Sequence, residues 1–398
     1  MIVDKCHPQP AWIESLRDRF PCEAEIDRIL TRKLQRRSGH GYSPVALETL
    51  CEGVRRLLRE EVEGPFEVLE PRWLSGGASK VQMAFKLAWN RPGVGRTTTP
   101  MVLRMEPAES IVETSRLREF QLMKAMEAVV PVPRVFWLDA EGKHLPYPAM
   151  ICGFASGVAK PTAAVAGGPS GLGTNFGPAV RAVLGPQFVE HLAAIHAHDW
   201  RTSDLSAFDV PALGTQSVEW QLNCWARVWE EDANEDVPLL RYAASWLRAN
   251  MPPVDRISVV HSDYRSGNFL YDERSNRITT ILDWELGFLG DRHLDIAFVT
   301  NPAFGHLSED GKTFLVGGLM TQEAFYEAYE KAAGMKIDRK TVDFYRVFNA
   351  YKLATLALGT TYRAARGAKT HQDVVLTYLI GVGYTILEEL RALLEALD

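Results

Sequence analysis

The chain lacks an uninterrupted apolar run at its start. MIVDKCHPQPAWIESLRDRF is broken by charges and prolines and does not read as a secretory signal. It also lacks a membrane span. The most apolar late stretch, LTYLIGVGYTILEELRALLEAL, is interrupted by glycines and by charges at helical spacing, which marks a packed helix. Five cysteines (Cys6, Cys22, Cys51, Cys152, Cys224) form no C-x-x-C pair, which gives no support for a zinc site or a disulfide framework and suits a reducing compartment. A basic excess is missing too. With 44 Lys and Arg against 50 Asp and Glu, the net charge of -6 argues for neither nucleic acid nor an anionic membrane as partner. The expected location is the cytoplasm.

What is present fits a two-lobed soluble protein. Its 398 residues are roughly twice a usual single domain, and 46% apolar with 24% charged residues allow a sizeable core. Residues 1–64 read as a helical extension, with Leu30, Leu34, Leu47, Leu50, Val54 and Leu57 at three- and four-residue steps, packing on the body or on a second subunit of a homodimer. Its basic run, Arg28, Arg32, Lys33, Arg36 and Arg37, reads as a solvated helix face. From 66 to 105 the pattern turns to strands, FEVLEPRWL, VQMAFKLAW and PMVLRM, separated by SGGAS and NRPGVGRTTT. A helix over 110–128 and two further strands, in PVPRVFWLDAEG and PAMICGF, complete a first lobe over 65–154. Residues 155–398 open on a Gly-rich linker and are mostly helical, apart from one hairpin-like pair near 257–284. Strands followed by helices predict an α+β fold: a small antiparallel sheet with one helix, then a helical lobe.

The chemistry lies in HSDYRSGNFLYDERSNRITTILDWELGFLGDRHLDIAF. Phosphoryl transfer needs an oriented hydroxyl, a metal ion on the phosphates and neutralisation of the moving group. Asp263, just after the apolar strand ISVV, can accept the hydroxyl proton. Asn268, five residues on, offers a neutral oxygen, and Asp283, after ITTIL, an anionic one, for the same Mg²⁺. A hairpin between them would bring the two together. The H-x-D-x-x-x-x-N spacing is that of the protein-kinase catalytic loop, with Asp283 in the place of its DFG aspartate.

This segment resembles the aminoglycoside-phosphotransferase family, and most of all its branch of kinase-like domains linked to acyl-CoA dehydrogenases. The likeness runs from about residue 65 to the C-terminus and implies a bilobal protein-kinase-like fold that binds ATP and Mg²⁺. It implies further roles. His261 and Asp295 brace the catalytic loop, so His261 is counted with Asp263 in the catalytic set. Arg265 either binds the transferring phosphate or forms a salt bridge within the loop, and Ser262 stands where glycine is commoner. Gly76, Gly77 and Ser79 of SGGASKV correspond to the phosphate-covering loop, a weak signal by itself. Arg104 on the third strand takes the place of the phosphate-clamping lysine, with Lys86 as rival. Glu119 would hold that cation, with Glu113 or Glu109 as substitutes, and backbone from Gly153 to Ala155 would meet adenine.

The acceptor is a hydroxyl-bearing small molecule of unspecified identity. The segment EWQLNCWARVWEEDANED carries Glu219, Glu230, Glu231, Asp232, Glu235 and Asp236 against Arg227 alone, either an acidic cleft for a cationic acceptor such as an aminoglycoside or a solvated helix end. Trp220, Trp225 and Trp229 read as packing. The wording of the catalytic segment, Arg104 and NAYKLATLALGTTYRAARG pull toward the branch associated with hydroxyacyl-CoA, whose phosphates would call for a groove from Arg339, Lys340, Arg363, Arg366 and Lys369. His306 and His371 read as surface residues. A nucleotide-binding pseudokinase is disfavoured because Asp263, Asn268 and Asp283 are all present, and a protein kinase because no APE-type element follows.

Overall fold

A computed structural model describes residues 4–40, 43–74, 80–162, 173–367 and 373–397. Helices α1 (Pro10–Arg19), α2 (Ala24–Arg36) and α3 (Leu47–Glu61) come first. Strands β1 (Glu67–Trp73), β2 (Val81–Arg91), β3 (Gly95–Met105), β4 (Val135–Asp139) and β5 (Ala149–Gly153) then form one antiparallel sheet in the order β1-β2-β3-β5-β4. Helix α4 (Arg116–Met126) separates β3 from β4, starting later than the 110–128 pattern because Ser115 caps it.

The period of two along the strands divides the sheet's faces. Met83, Phe85, Leu87, Met101, Leu103 and Ile151 pack under Leu50, Val54, Leu57 and Leu58 of α3. Val102, Met150 and Cys152 point the other way and join the core of α4 and the helical lobe. The extension is thus divided. Helix α3 covers the sheet, whereas Ile13, Leu16, Phe20 and Leu34 of the α1–α2 region pack with Ala226 of the helical lobe.

That lobe comprises α5 (Gly177–Ala197), α6 (Gln216–Asp232), α7 (Pro238–Ala249), α8 (His293–Val299), α9 (Gln322–Ala333), α10 (Arg339–Ala354), α11 (Thr361–Gly367) and α12 (Asp373–Leu397). A π-helical segment, Thr355–Thr360, joins α10 to α11. The hairpin expected near 257–284 is present and is enclosed by a second antiparallel pair. Strand β6 (Ser258–Val260) pairs with β9 (Phe288–Gly290), and between them β7 (Phe269–Asp272) pairs with β8 (Arg277–Ile281). Among the described residues no helix is long and apolar enough to cross a membrane.

Candidate active site

The loop from β6 to β7 is held by a fully buried carboxylate. Asp295, in the first turn of α8, accepts the His261 and Ser262 N–H groups, each at 2.7 Å, and His196 Nε2 at 3.1 Å. Burial pushes the Asp295 carboxyl up, but the His196 hydrogen bond and the charges of His196 and His261 outweigh it and leave it below the usual range. The His261 ring is buried between loop and hairpin. Its Nδ1 accepts the Asp263 N–H at 3.3 Å, which leaves Nε2 to donate to the Leu282 carbonyl at 2.9 Å. Ser262 lies in the left-handed region, φ 68°, which is the physical reason a glycine is at ease in this position.

Asp263 follows on this loop, with its side chain 25% exposed. Its Oδ2 accepts from Asn268 Nδ2 at 2.6 Å and its Oδ1 from Arg265 Nε at 3.2 Å. Burial raises its carboxyl above the usual value, opposed chiefly by Arg265. Arg265 also lies over the Phe304 ring at 5.4 Å. The within-loop salt bridge considered for Arg265 is therefore formed. Asn268 and Asp283 end up at the open end of one hairpin, where Leu282 N–H donates to the Asn268 carbonyl at 2.8 Å. Asp283 is left-handed, φ 60°, and its side chain is 43% exposed, while Trp284 beside it is buried.

Asp283 borders a cleft of about 290 Å³ between sheet and helical lobe. Leu74, Val102, Met123, Leu270 and Leu282 line its apolar part, and Gly153 to Ala155 form one edge. The Gly153 N–H is taken by the Arg134 carbonyl (2.8 Å) and that of Phe154 by the Pro100 carbonyl (3.0 Å). Of these three N–H groups, only that of Ala155 has no partner among the described residues. Arg104 lines the far side, 3.2 Å from Glu119 and 3.4 Å from Asp283. Lys86 is instead exposed and paired with Glu70 at 2.7 Å. Neither substitute for Glu119 reaches the cleft cation, since Glu109 pairs with Arg363 and Arg37 and Glu113 accepts the Ser110 N–H. Gly76, Gly77 and Ser79 lie outside the described residues.

Sequence reasoning missed four members of this charge cluster, Lys80, Glu106, Arg116 and Glu285. Lys80 Nζ lies 2.8 Å from Glu106 and 3.6 Å from Glu285. Arg116, fully buried, contacts Glu106 at 2.6 Å, Glu285 at 3.2 Å and Glu119. A signal existed for two of them: Lys80 directly follows the small-residue run, and Glu285 stands two residues past Asp283. Also missed was Lys352, whose Nζ donates to the Ser262 carbonyl at 2.6 Å.

The acceptor-side expectations need correction. The basic run is solvated only in part: Arg28 and Arg36 are exposed, but Lys33 and Arg37 are buried against Glu231 (2.6 Å) and Asp232 (2.6 Å). For the same reason Glu231 and Asp232 are neither a free acidic cleft nor a solvated end. Arg227 binds Glu231 at 2.8 Å, and Arg363 binds Asp232 at 3.1 Å. Glu230 pairs with Arg19 and Asp236 with Arg241, which leaves Glu219 and Glu235 exposed. Trp225 is buried as packing. Arg339 stacks on Tyr326, whereas Arg363 is committed beyond the far end of α10, so no single groove gathers the two. His306 is buried rather than on the surface, and His371 and Lys369 lie outside the described residues.

Comparison with known proteins gives this geometry a family context. Residues 89–345 match the profile of the phosphotransferase enzyme family. The chain is 25% identical over 336 residues to acyl-CoA dehydrogenase family member 10 of Mus musculus, covering 81% of this chain and 28% of the relative. It is 22% identical over 318 residues to family member 11 of Homo sapiens, covering 76% and 39%. The chain thus spans well under half the length of these curated relatives. A crystal structure from Ralstonia eutropha JMP134, of a protein designated an aminoglycoside phosphotransferase, superposes with a TM-score of 0.63 at 21% identity, covering 87% of this chain and 98% of that one. Choline kinase from Cryptosporidium parvum Iowa II gives 0.50 at 12%, covering 86% and 96%. The protein-kinase-like fold expected from the sequence is the fold observed.

Proposed function

The chain belongs to the phosphotransferase enzyme family, and from that membership we propose that it moves the γ-phosphate of ATP to a hydroxyl of a small molecule. One observation carries the reading: Asp263, Asn268, Asp283 and Arg104 are linked by contacts of 2.6–3.4 Å and by the Asn268–Leu282 backbone pair, with Asp283 and Arg104 lining the cleft. In it Asp263 takes the acceptor's hydroxyl proton. Its raised affinity for protons suits a base, and the Asn268 amide fixes its orientation. Arg104 binds the α- and β-phosphates, steadied by Glu119, and Arg265 turns from Asp263 toward the transferring group. His261 holds the loop to the hairpin. Gly76, Gly77 and Ser79 cover the phosphates, and adenine meets Gly153 and Ala155 through backbone, with Ala155 N–H as the donor. In this reading residues 65–154 are the nucleotide lobe, 155–398 the acceptor lobe and 1–64 an extension.

The donor set fits magnesium. Asn268 and Asp283 supply two hard oxygens on adjoining backbone, and an ion so bound commonly completes its shell with phosphate oxygens and water. When present, Mg²⁺ neutralises charge on the phosphates.

For the acceptor, the internal neutralisation of Glu231 and Asp232 removes the main support for a polycation such as an aminoglycoside. A hydroxyacyl-CoA thioester is the acceptor we favour, on the strength of relatives named as acyl-CoA dehydrogenase family members and not of a basic groove, since Arg339 and Arg363 lie apart. The test is ATP consumption with Mg²⁺ against panels of aminoglycosides and hydroxyacyl-CoA thioesters. Turnover on thioesters that disappears in Asp263→Asn is the expected result. Turnover on aminoglycosides alone would overturn the acceptor assignment. ATP binding without transfer to any acceptor would turn the reading into that of a pseudokinase.

A further inference from the structure

The segment NAYKLATLALG contributes nothing to the roles above, yet it sends one side chain into the catalytic loop. Lys352, in the last turn of α10, is 1% exposed and packs by its ammonium against the rings of Phe298 (5.1 Å) and Trp225 (5.8 Å). A buried ammonium is costly unless its donors are used. Here two are used on a single residue, the Ser262 carbonyl at 2.6 Å and Ser262 Oγ at 2.8 Å. Ser262 is the residue that turns the chain into Asp263, and it does so at φ 68°, where a side chain is strained. Its N–H is anchored by Asp295 and its carbonyl by Lys352, so the left-handed turn is held from both sides.

We propose that Lys352 is a positioning residue: it holds Ser262 in its left-handed turn and so aims Asp263 at the acceptor hydroxyl. The inference rests on the phosphotransferase reading for its consequence and on the loop geometry alone for its cause. Burial lowers the Lys352 ammonium to about 8, with Asp263 and Asp295 drawing it back up, so it lies in reach of mild alkali. A neutral amine still donates to the carbonyl, so the hold itself is a matter of geometry.

The structure gives a direct handle, because glycine adopts this turn without strain. Lys352→Met should lower kcat about 10- to 100-fold with KM for ATP changed by about twofold at most; in a Ser262→Gly background the same substitution should cost about threefold or less. Lys352→Gln, which keeps a donor, should recover part of the loss. A second readout is independent of turnover: Lys352→Met should speed amide hydrogen exchange at His261 and Ser262, and do so less in the Ser262→Gly background. Equal losses of kcat in both backgrounds, or unchanged exchange in a folded Lys352→Met protein, would overturn the proposal. A native protein that transfers no phosphate would sink the phosphotransferase reading instead, and the exchange experiment would still decide the role of Lys352.

Discussion

Two buried charge clusters of similar make-up sit in different surroundings in this molecule. One sets Lys80, Arg104 and Arg116 against Glu106, Glu119 and Glu285 where sheet, α4 and hairpin meet. The other sets Lys33, Arg37, Arg227 and Arg363 against Asp27, Glu109, Glu231 and Asp232, tying α2 to α6 and α11. Both are nearly closed to solvent, so burial of charge alone does not separate a candidate site from a structural one. The difference lies at the edge. The first cluster ends in Arg104, which faces an open cleft and an exposed carboxylate at Asp283. The second also borders a cavity, of about 260 Å³, but there Glu231 and Asp232 are each ringed by cations within the protein. Charges satisfied internally hold the fold, and charges left facing a cleft are available to a ligand.

The comparison can be broken most forcefully from the second cluster. Lys33→Met or Arg37→Met leaves buried carboxylates short of a partner and should cost about 3–5 kcal/mol of stability, read as a drop in Tm, with ATP affinity unchanged in protein that remains folded. The same cluster has a pH signature. Burial pushes Asp232 up, but Arg363, Lys33 and Arg37 outweigh it and hold its folded value below 3.8. Its contribution is thus complete above that pH and is lost as the pH falls through the folded value. Denaturation at stepped pH should show native stability falling in acid more steeply than that of Asp232→Asn.

Asp263→Asn is the next largest effect, with kcat lowered by about 10² or more and nucleotide affinity kept, read by steady-state kinetics and equilibrium binding. Arg104→Met should weaken ATP binding by about tenfold and cost less stability than the α2 substitutions, because Glu119 keeps Arg116 as a partner. At the small end, Lys86→Ala should stay within about 0.5 kcal/mol of native stability and leave ATP binding untouched, since Lys86 meets only exposed Glu70. A large loss of ATP affinity there would reverse the choice between Arg104 and Lys86.

The segment proposed as catalytic was legible in the sequence because its polar residues are compressed into residues 261–295, with fixed spacing between flanking strands. The sheet was legible for a related reason: alternation along β2 and β3 is a local signal. Lys33 and Asp232 lie 199 residues apart, and nothing local distinguishes a helix face destined for another charged face from one destined for water. Each looked solvated because each was read without the other. Lys352 was hidden similarly, its partner Ser262 lying 90 residues away. His306 was misread because a lone histidine carries no burial signal of its own.

The most direct test of the cleft as the working site is equilibrium titration of ATP, with and without Mg²⁺, into the native protein and Asp283→Ala. The account predicts Mg²⁺-dependent binding to the native protein and its loss in Asp283→Ala. Undiminished Mg²⁺-dependent binding in that variant would contradict it and move the metal, and the chemistry with it, to another part of the molecule.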